Sequence, residues 1–277
     1  MAPADVAVQE APFTKNSAQV VNDFSIQVAS VNGSGSQTAN LVLLRSIFNM
    51  GVPVSGKNLF PSNIAGLPTW FTIRANKNGY MARKKEIDFL VAMNPETARE
   101  DVSSLEPGAA VVYDESLKLD SVRSDLTFYS VPFGPLVAGI CQNVKLRRLV
   151  RNMIYDGVLA KLLGIDLSGM ELALERQLGG KPKAVAVNRQ ALDAGFQYAE
   201  QHFEKQDPYV VAPMNATAGK ILIEGNAAAA LGAALPHHAP CCRRGSPTGE
   251  YIPCPRFQQE PPLAPPKKGP WQARVVL

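Results

Sequence analysis

The sequence FSIQVASVNGSGSQTANLVLLRSIFN, residues 24–49, contains a complete strand–loop–helix unit. Its first eight residues are rich in β-branched and apolar side chains, which predicts a strand over Phe24–Val31. Asn32–Gln37 is a glycine-rich loop, and the apolar spacing after it predicts a helix from Thr38 to about Asn49. Gly51 and Pro53 then end the helix.

The glycine loop between this strand and helix resembles known phosphate-binding loops without matching one. Backbone N–H groups at the start of a helix attract anions. Thr38, however, stands where the dinucleotide fingerprint has its third glycine, and no acidic residue ends a second strand about 20 residues further on. No Gly-Lys-Ser/Thr follows either. The loop alone is therefore compatible with a tight structural turn or with an anion site.

The pattern beyond the loop alternates strands with helices. Strands are predicted over 69–75, 80–84, 87–93, 109–113 and 126–131, and helices from Pro95 to Pro107 and over 145–163, 168–178 and 188–204. Such alternation is typical of right-handed βαβ units. We predict a Rossmann-like α/β fold with a mainly parallel sheet and a C-terminal helical extension. A short strand and an alanine-rich helix over 219–235 then start a second α/β domain.

Two polar segments are further candidates for binding, one in an irregular stretch and one at the start of a predicted helix. Residues 52–68 are predicted to be irregular and carry Ser55, Lys57, Asn58, Ser62 and Asn63, which could bind a ligand phosphate or a partner subunit, or simply line a surface connection. The second segment is a basic run, for which a solvated or subunit-facing helix surface is predicted. It consists of Lys145, Arg147, Arg148 and Arg151.

Composition and charge exclude several classes of function. The chain has 277 residues and a net charge of +4, but the last 42 residues hold six basic and two acidic residues, so the first 235 are balanced. A neutral body gives no support for nucleic-acid binding. No apolar run reaches the roughly 18 residues of a spanning helix, and the N-terminus lacks the features of a signal peptide. We therefore expect a cytoplasmic protein without a membrane partner.

Cysteine and histidine are also concentrated near the C-terminus. The body has only Cys141, for which core packing is predicted, and His202, for which a solvated helix face is predicted. Neither supplies a disulfide framework or a metal site there. The tail has no CxxC pair, which argues against a zinc site. Its cysteines and histidines are Cys241, Cys242, Cys254, His237 and His238.

Six ordered segments together resemble a known family. The chain is similar to the α subunit of 2-oxoacid:ferredoxin (acceptor) oxidoreductases, in the form with the γ domain fused at its N-terminus, over about residues 22–235. The segments are VNGSGSQTANLVL (31–43), GKNLFPSNIAGLPTWFTIR (56–74), FLVAMNPET (89–97), NMIYDGVLAKLLGI (152–165), KPKAVAVNRQALDAGFQYA (181–199) and MNATAGKILIEGNAAAALGA (214–233).

The resemblance implies a reaction and a set of partners. A 2-oxoacid such as 2-oxoglutarate or pyruvate is decarboxylated on thiamine diphosphate, the acyl group passes to coenzyme A, and electrons leave through iron–sulfur clusters to ferredoxin. In such enzymes, thiamine diphosphate, Mg²⁺ and a [4Fe–4S] cluster are held mostly by a separate β subunit. The present chain is therefore expected to be inactive alone. Ferredoxin is then an indirect partner.

The resemblance also implies that the γ domain helps with assembly and is linked to coenzyme A binding, and it suggests which residues lie near an anionic group. The residues expected near it are Gly33, Gly35, Ser36 and Gln37, with Lys57, Asn58, Ser62 and Asn63 as weaker candidates. No catalytic residue and no metal ligand is expected in this chain.

The similarity stops at about residue 235. After GNAAAALGA the family continues into a pyrimidine-binding domain, whereas this chain turns to proline, arginine, cysteine and histidine, which suggests a truncated or frameshifted product. The expected organisation is a flexible arm (1–22), a γ-type domain (23–206), a linker (207–218), the truncated start of the pyrimidine-binding domain (219–235) and a disordered tail (236–277).

Two other functions stay open at this point. The chain could be a stand-alone coenzyme A or nucleotide-binding and assembly module without catalysis. A nicotinamide-dependent dehydrogenase with a variant loop is least favoured, because the third glycine and the ribose-binding acid are missing.

Overall fold

A computed structural model of the chain describes residues 18–59, 67–234 and 275–276. The chain divides into two compact units, Met1–Ala218 and Gly219–Leu277. The cysteines and histidines of the predicted disordered tail, and most of the predicted N-terminal arm, lie outside the described residues. The two described residues of that tail, 275–276, form a short strand.

The first unit is built on strands and helices that alternate through its N-terminal half. Its described strands are β1 (Val20–Val21), β2 (Asp23–Val31), β3 (Val54–Leu59), β4 (Pro68–Asn76), β5 (Phe89–Ala92), β6 (Ala110–Asp114), β7 (Thr127–Val131) and β8 (Tyr209–Val210). Its described helices are α1 (Ser36–Asn49), α2 (Ala98–Ser103), α3 (Phe133–Ile140), α4 (Val144–Leu163), α5 (Leu167–Gln177) and α6 (Pro182–His202).

Six of these strands form one mainly parallel sheet in the order β3-β4-β2-β5-β6-β7. Strands β2, β5, β6 and β7 pair in parallel, whereas β4 runs antiparallel to both of its neighbours. The central strands β5 and β6 are continuous apolar runs with every residue buried, which is typical of parallel strands covered on both faces. The predicted α/β class with a mainly parallel sheet is confirmed.

Helices cover both faces of this sheet. On one face, Ala29, Leu90 and Val111 pack with Val102 of α2 and with Leu105, which follows that helix. On the other face, α1 presents a fully buried stripe that includes Val42, Leu43 and Ile47. Burial of such apolar area at about 25 cal/mol per Å² is the main stabilising contribution to folding.

The long helices α4 and α6 form the helical extension and pack closely on each other. A Cβ atom at Gly157 would lie 2.0 Å from the carbonyl oxygen of Leu192, and one at Gly195 would lie 2.1 Å from that of Ile154. Glycine at both positions therefore lets the two backbones touch. The contact of Gly157 with Leu192 and the ion pair of Lys161 with Glu200 follow the same chain direction, so the helices run parallel.

The segment 52–68 differs from its predicted irregular structure, because β3 forms within it. VSGKNL has weak strand propensity, which explains the missed prediction, but it pairs with β4 as an edge strand. Gly56 is needed there, since a Cβ atom would lie 2.8 Å from Cζ of Phe71 and 2.9 Å from Cδ2 of Leu44.

The prediction of a strand over 80–84 is wrong. The side-chain oxygen of Asn76 accepts hydrogen bonds from the N–H groups of Asn78 and Tyr80, both at 3.0 Å, and this turn takes the chain away from the sheet. Two helical features were also missed. Helix α3 was not predicted, and α6 begins at Pro182 rather than at residue 188, because proline suits the first position of a helix.

The segment 207–218, for which a linker is predicted, belongs to the first unit and packs against other elements of that unit. Strand β8 pairs in parallel with β1. The N–H of Val211 donates to the carbonyl of Leu163 at 2.8 Å, and that of Met214 donates to Met50 at 2.8 Å. Pro208 and Pro213 give this segment the composition of a linker, yet several of its N–H groups find acceptors, including those of Tyr209, Ala212 and Ala216.

The described part of the second unit contains β9 (Ile221–Leu222), α7 (Gly225–Ala234) and β10 (Val275–Val276), of which β10 pairs in parallel with β9. This matches the predicted short strand and alanine-rich helix. Among the described residues, no helix is long and apolar enough to cross a membrane.

Candidate functional site

The glycine loop joins β2 to α1 with two residues in left-handed backbone conformations. Gly33 has φ +80° and Gly35 has φ +84°. L-residues avoid this region, whereas glycine enters it freely. A Cβ atom at Gly35 would also lie 2.5 Å from Cδ2 of Leu149. The loop therefore needs glycine at position 35 for its backbone conformation and for its packing on α4.

Side chains on one face of α4 donate hydrogen bonds to carbonyl groups of this loop. Arg148 donates to the carbonyl of Gly33 at 3.0 Å, and Asn152 donates through Nδ2 to that of Ser34 at 2.9 Å. One turn further, the hydroxyl of Tyr155 donates toward the carbonyl of Ser36 at 3.4 Å. These three donors follow the i, i+4, i+7 spacing of one helix face.

This arrangement leaves the N–H side of the loop open for a ligand. The first turn of α1 carries N–H groups that have no acceptor within the helix, at Ser36 and Gln37 among others. Those groups and the positive end of the helix dipole favour an anion. Because α4 already takes up carbonyls of the loop, the loop presents mainly donors.

A polar cavity of about 300 Å³ lies beside the loop. It is lined by five of the residues predicted to bind an anion: Gly33, Gly35, Ser36, Gln37 and Asn58. Asn58 donates through Nδ2 to Oε1 of Gln37 at 2.8 Å, which joins β3 to the start of α1. The hydroxyls of Ser30 and Ser36 are hydrogen-bonded to each other at 2.8 Å in its wall.

The other predicted residues are not part of this cavity as described. Lys57 is exposed and, by strand alternation, points to the face of β3 opposite Asn58. Ser62 and Asn63 lie outside the described residues.

A second cleft, of about 460 Å³, opens at the carboxyl ends of β2 and β5. The chain leaves β2 toward β3 on one side and later returns to β5 on the other side, so this is the topological switch point at which open α/β sheets bind ligands. The cleft is lined by Ser30, Val31, Ser34, Met93, Pro95, Gly134, Val137, Arg147, Arg148, Arg151 and Asn152.

Three guanidinium groups give this arginine cleft a positive potential. Arg147 donates through Nε to the carbonyl of Cys141 at 2.8 Å, and Arg148 donates to that of Gly33. Only Arg151 has a carboxylate within ion-pair distance among the described residues, Asp114 at 3.6 Å. At least two charges are therefore uncompensated and available to an anion such as a phosphate.

The hydroxyl of Ser34 is a further polar group available to a ligand of this cleft. This hydroxyl is buried in the wall of the arginine cleft and has no hydrogen-bond partner in the described part of the chain. A buried polar group without a partner is destabilising by about 1–3 kcal/mol. A phosphate oxygen in the cleft would supply the acceptor that this hydroxyl lacks.

The arginines were predicted only as a solvated or subunit-facing surface. Their contact with the glycine loop spans more than a hundred residues of sequence, so local periodicity does not reveal it. One signal was available: Asn152 and Tyr155 continue the face of Arg148 into a stretch of α4 that is otherwise apolar. Polar side chains on a buried helix face need partners.

Cys141 and His202 lie in the surroundings predicted for them. Cys141 is buried, with its Sγ 3.4 Å from the carbonyl oxygen of Asn143. His202 is exposed at the end of α6 and stacks on Tyr198. Within the described residues, no three histidine, cysteine or acidic side chains are grouped as metal ligands.

Comparison with known proteins identifies the family. The family model for pyruvate ferredoxin/flavodoxin oxidoreductase matches residues 25–198, which is more than half of the chain. The chain belongs to this family. The matched range contains the glycine loop, the six-stranded sheet apart from the first two residues of β2, and the arginines of α4.

Curated relatives in this family are longer than the present chain. Subunit alpha of 2-oxoacid:ferredoxin oxidoreductase 2 from Aeropyrum pernix is 20% identical over 65% of this chain and 34% of its own length. The chain spans between 25% and 39% of the length of the curated relatives that it matches.

Solved structures of the family share the fold. A 2-oxoglutarate:ferredoxin oxidoreductase from Magnetococcus marinus, with 2-oxoglutarate, coenzyme A and succinyl-CoA bound, is 25% identical, with a TM-score of 0.64 over 70% of this chain and 34% of that chain. The gamma subunit of a keto/oxoacid ferredoxin oxidoreductase from Geobacter sulfurreducens is 18% identical, with a TM-score of 0.51 over 64% of this chain and 99% of that chain. The second similarity concerns the fold alone.

Proposed function

We propose that this chain is a component of a 2-oxoacid:ferredoxin oxidoreductase and that its glycine loop and arginine cleft bind coenzyme A. The enzyme would convert a 2-oxoacid such as 2-oxoglutarate or pyruvate to its acyl-CoA and pass the electrons to ferredoxin. The chain needs a β subunit for activity. A cytoplasmic location belongs to the proposal, because a reducing compartment keeps the thiol of coenzyme A free.

The convergence of three arginines on a donor-rich glycine loop carries this proposal. Coenzyme A has a diphosphate and a further phosphate on its ribose, so it needs several cations and N–H donors in one place. The cleft of Arg147, Arg148 and Arg151 and the adjoining loop supply them. The similar enzyme from Magnetococcus marinus was solved with coenzyme A bound, which supports the choice of ligand.

Each part of the site has a distinct role in this proposal. The N–H groups of Gly35, Ser36 and Gln37 face one phosphate at the start of α1, where Gly33 shapes the loop. Arg147, Arg148 and Arg151 neutralise a second phosphate, and the Ser34 hydroxyl donates to it. Asn58 holds Gln37 in place. Lys57, Ser62 and Asn63 remain weaker candidates that mutation can test.

Thiamine diphosphate, Mg²⁺ and a [4Fe–4S] cluster are assigned to other parts of the assembled enzyme. A cluster needs a set of cysteine thiolates, and the only cysteine among the described residues is the buried Cys141. The described residues likewise present no grouped carboxylates for a cation. Coenzyme A, when bound, supplies the thiol that accepts the acyl group, and this chain orients it.

Calorimetric titration of coenzyme A into the full chain tests the binding site. We expect saturable binding that weakens at least about tenfold in Arg148→Gln and Arg151→Gln, because a charged hydrogen bond contributes about 1.5–3 kcal/mol. Arg83→Gln is the matched control, since Arg83 is exposed and remote in sequence from the site. Pantetheine, which lacks the phosphates, should not bind measurably.

A flat titration with coenzyme A would remove this proposal. Equal affinity for ADP and coenzyme A, together with no association with a β subunit, would instead favour the stand-alone nucleotide-binding module.

A further inference from the structure

An apolar groove of about 700 Å³ borders Gly35 and shares no lining residue with the arginine cleft. One wall is a stripe on α4 at i, i+3, i+4 and i+7 spacing, and the other is formed by the turn after α5 and the first turns of α6. Its apolar lining residues are Leu146, Leu149, Val150, Met153, Leu178, Pro182, Ala184 and Val187.

The groove leaves large apolar side chains open to solvent. Leu146 and Leu149 are each 45% exposed, and Val144, at the start of α4, is 72% exposed. Contiguous apolar surface of this kind marks interaction sites in soluble proteins. Two parallel helices with an apolar stripe between them form a groove into which a third helix can pack.

The rim of this groove is positively charged. Lys181 and Lys183 line it, and Lys145 follows the start of α4. No acidic residue lines it, and none of these lysines forms an ion pair with another described residue. Helices α4 and α6 also run parallel, so the positive ends of both helix dipoles lie at this end of the groove.

We propose that the groove binds an amphipathic helix of the β subunit, whose apolar side packs on Leu146 and Leu149 and whose acidic residues meet Lys181 and Lys183. This inference rests on the proposed function only in that the partner is the β subunit. The basic rim selects an acidic helix, and the apolar stripe supplies the area that drives its association.

Binding of the full chain to the β subunit from the same genome, measured by biolayer interferometry, tests the groove. We expect Leu146→Glu and the charge reversal Lys181→Glu/Lys183→Glu each to weaken binding at least tenfold. Leu172→Glu is the matched control, because Leu172 is 44% exposed on α5 and does not line the groove. Circular dichroism shows whether each variant is folded. If Leu146→Glu does not fold, the charge-reversal variant still tests the groove.

Several results would overturn the docking proposal. Unchanged affinity in both groove variants is one, and absence of binding by the wild-type chain is another. Self-association that Leu146→Glu abolishes would assign the groove to a second copy. Loss of coenzyme A affinity in Leu146→Glu, without loss of β-subunit binding, would make the groove part of the ligand site. The coenzyme A titration of the wild-type chain decides the proposed function separately.

Discussion

At the scale of single residues, Asp156 is the most unusual side chain in the core. It lies on α4 with none of its surface exposed, and neither carboxylate oxygen has a hydrogen-bond partner within the described residues. Burial raises the pKa of this carboxyl well above its usual value, because the charged form is poorly solvated there. The folded protein therefore retains a proton that the unfolded chain releases.

This proton makes stability depend on pH in a defined direction. Above the ordinary pKa of an aspartate the unfolded state binds fewer protons than the folded state, so stability falls as pH rises, by up to about 1.4 kcal/mol per pH unit. We expect Asp156→Asn to remove this loss and to be more stable than the wild type near pH 8. Urea denaturation of both proteins near pH 5 and near pH 8 measures it. An unaltered pH dependence in the variant would contradict the assignment.

Tyr155, the neighbour of Asp156, shows how a buried polar group is satisfied. Its hydroxyl donates to the glycine loop or to Oδ1 of Asn40, which lies 2.9 Å away. Burial raises the pKa of this phenol well above its usual value, so it remains a donor throughout the neutral range. The two adjacent residues therefore differ: the Tyr155 hydroxyl makes a positioning contact, whereas the Asp156 carboxyl has no partner among the described residues.

At the scale of elements, α4 lines both the arginine cleft and the apolar groove, and it is held in place by its contact with α6. The helices touch through Gly157 and Gly195, where neighbouring carbonyl oxygens occupy the space of a Cβ atom. Helices that approach this closely gain dispersion contacts along their whole interface.

A methyl group at this contact should separate the two helices. We expect Gly195→Ala to destabilise the fold by about 1–3 kcal/mol or more, because the new Cβ would lie 2.1 Å from the carbonyl oxygen of Ile154. Gly139→Ala in α3 is the control, since its Cβ meets nothing within 4 Å, and higher helix propensity should stabilise it slightly. Thermal denaturation compares the two. Equal melting temperatures would show that the helices adjust without cost.

The regular elements were predictable where local pattern and burial agree. Strands β2, β5, β6 and β7 and helices α1, α4 and α5 were placed within a few residues, because their apolar residues follow one period. Strand β3 was missed because its pairing with β4, rather than its composition, makes it a strand. The antiparallel direction of β4 could not be predicted either, since direction is a property of the pairing.

The candidate site was predictable only in part, for a related reason. The strand–loop–helix unit is local, so Gly33, Gly35, Ser36 and Gln37 could be named from the sequence. The arginines come from a helix that begins more than a hundred residues later, and their role depends on how α4 crosses the carboxyl edge of the sheet. Nothing in a local basic run distinguishes a cleft wall from a solvated surface.

At the scale of the whole molecule, the segment 207–218, which follows α6, holds elements of the first unit together. Asp207 is buried and accepts a hydrogen bond from the hydroxyl of Tyr129 at 2.7 Å. Asn22 bonds to Ala212 twice, through its Nδ2 at 2.8 Å and its Oδ1 at 2.9 Å. The segment thus connects β7 with the residue that precedes β2.

Removal of this segment should weaken the first unit. We expect a chain that ends at Gln206 to be less stable by several kcal/mol than one that ends at Ala218, because each hydrogen bond contributes about 1 kcal/mol and buried side chains such as Val211 are lost. Guanidinium denaturation of the two truncated chains measures the difference. Equal stability would restore the interpretation of 207–218 as a linker.

The hold of α4 on the glycine loop has a consequence for the way this protein is made. Arg148, Asn152 and Tyr155 follow their partners in the loop by 115 to 119 positions. During synthesis, the loop therefore leaves the ribosome long before the helix that completes it, and N-terminal elements begin to fold first. The ligand site can reach its final shape only once α4 has emerged, so nascent chains that stall earlier carry the glycines but no assembled pocket.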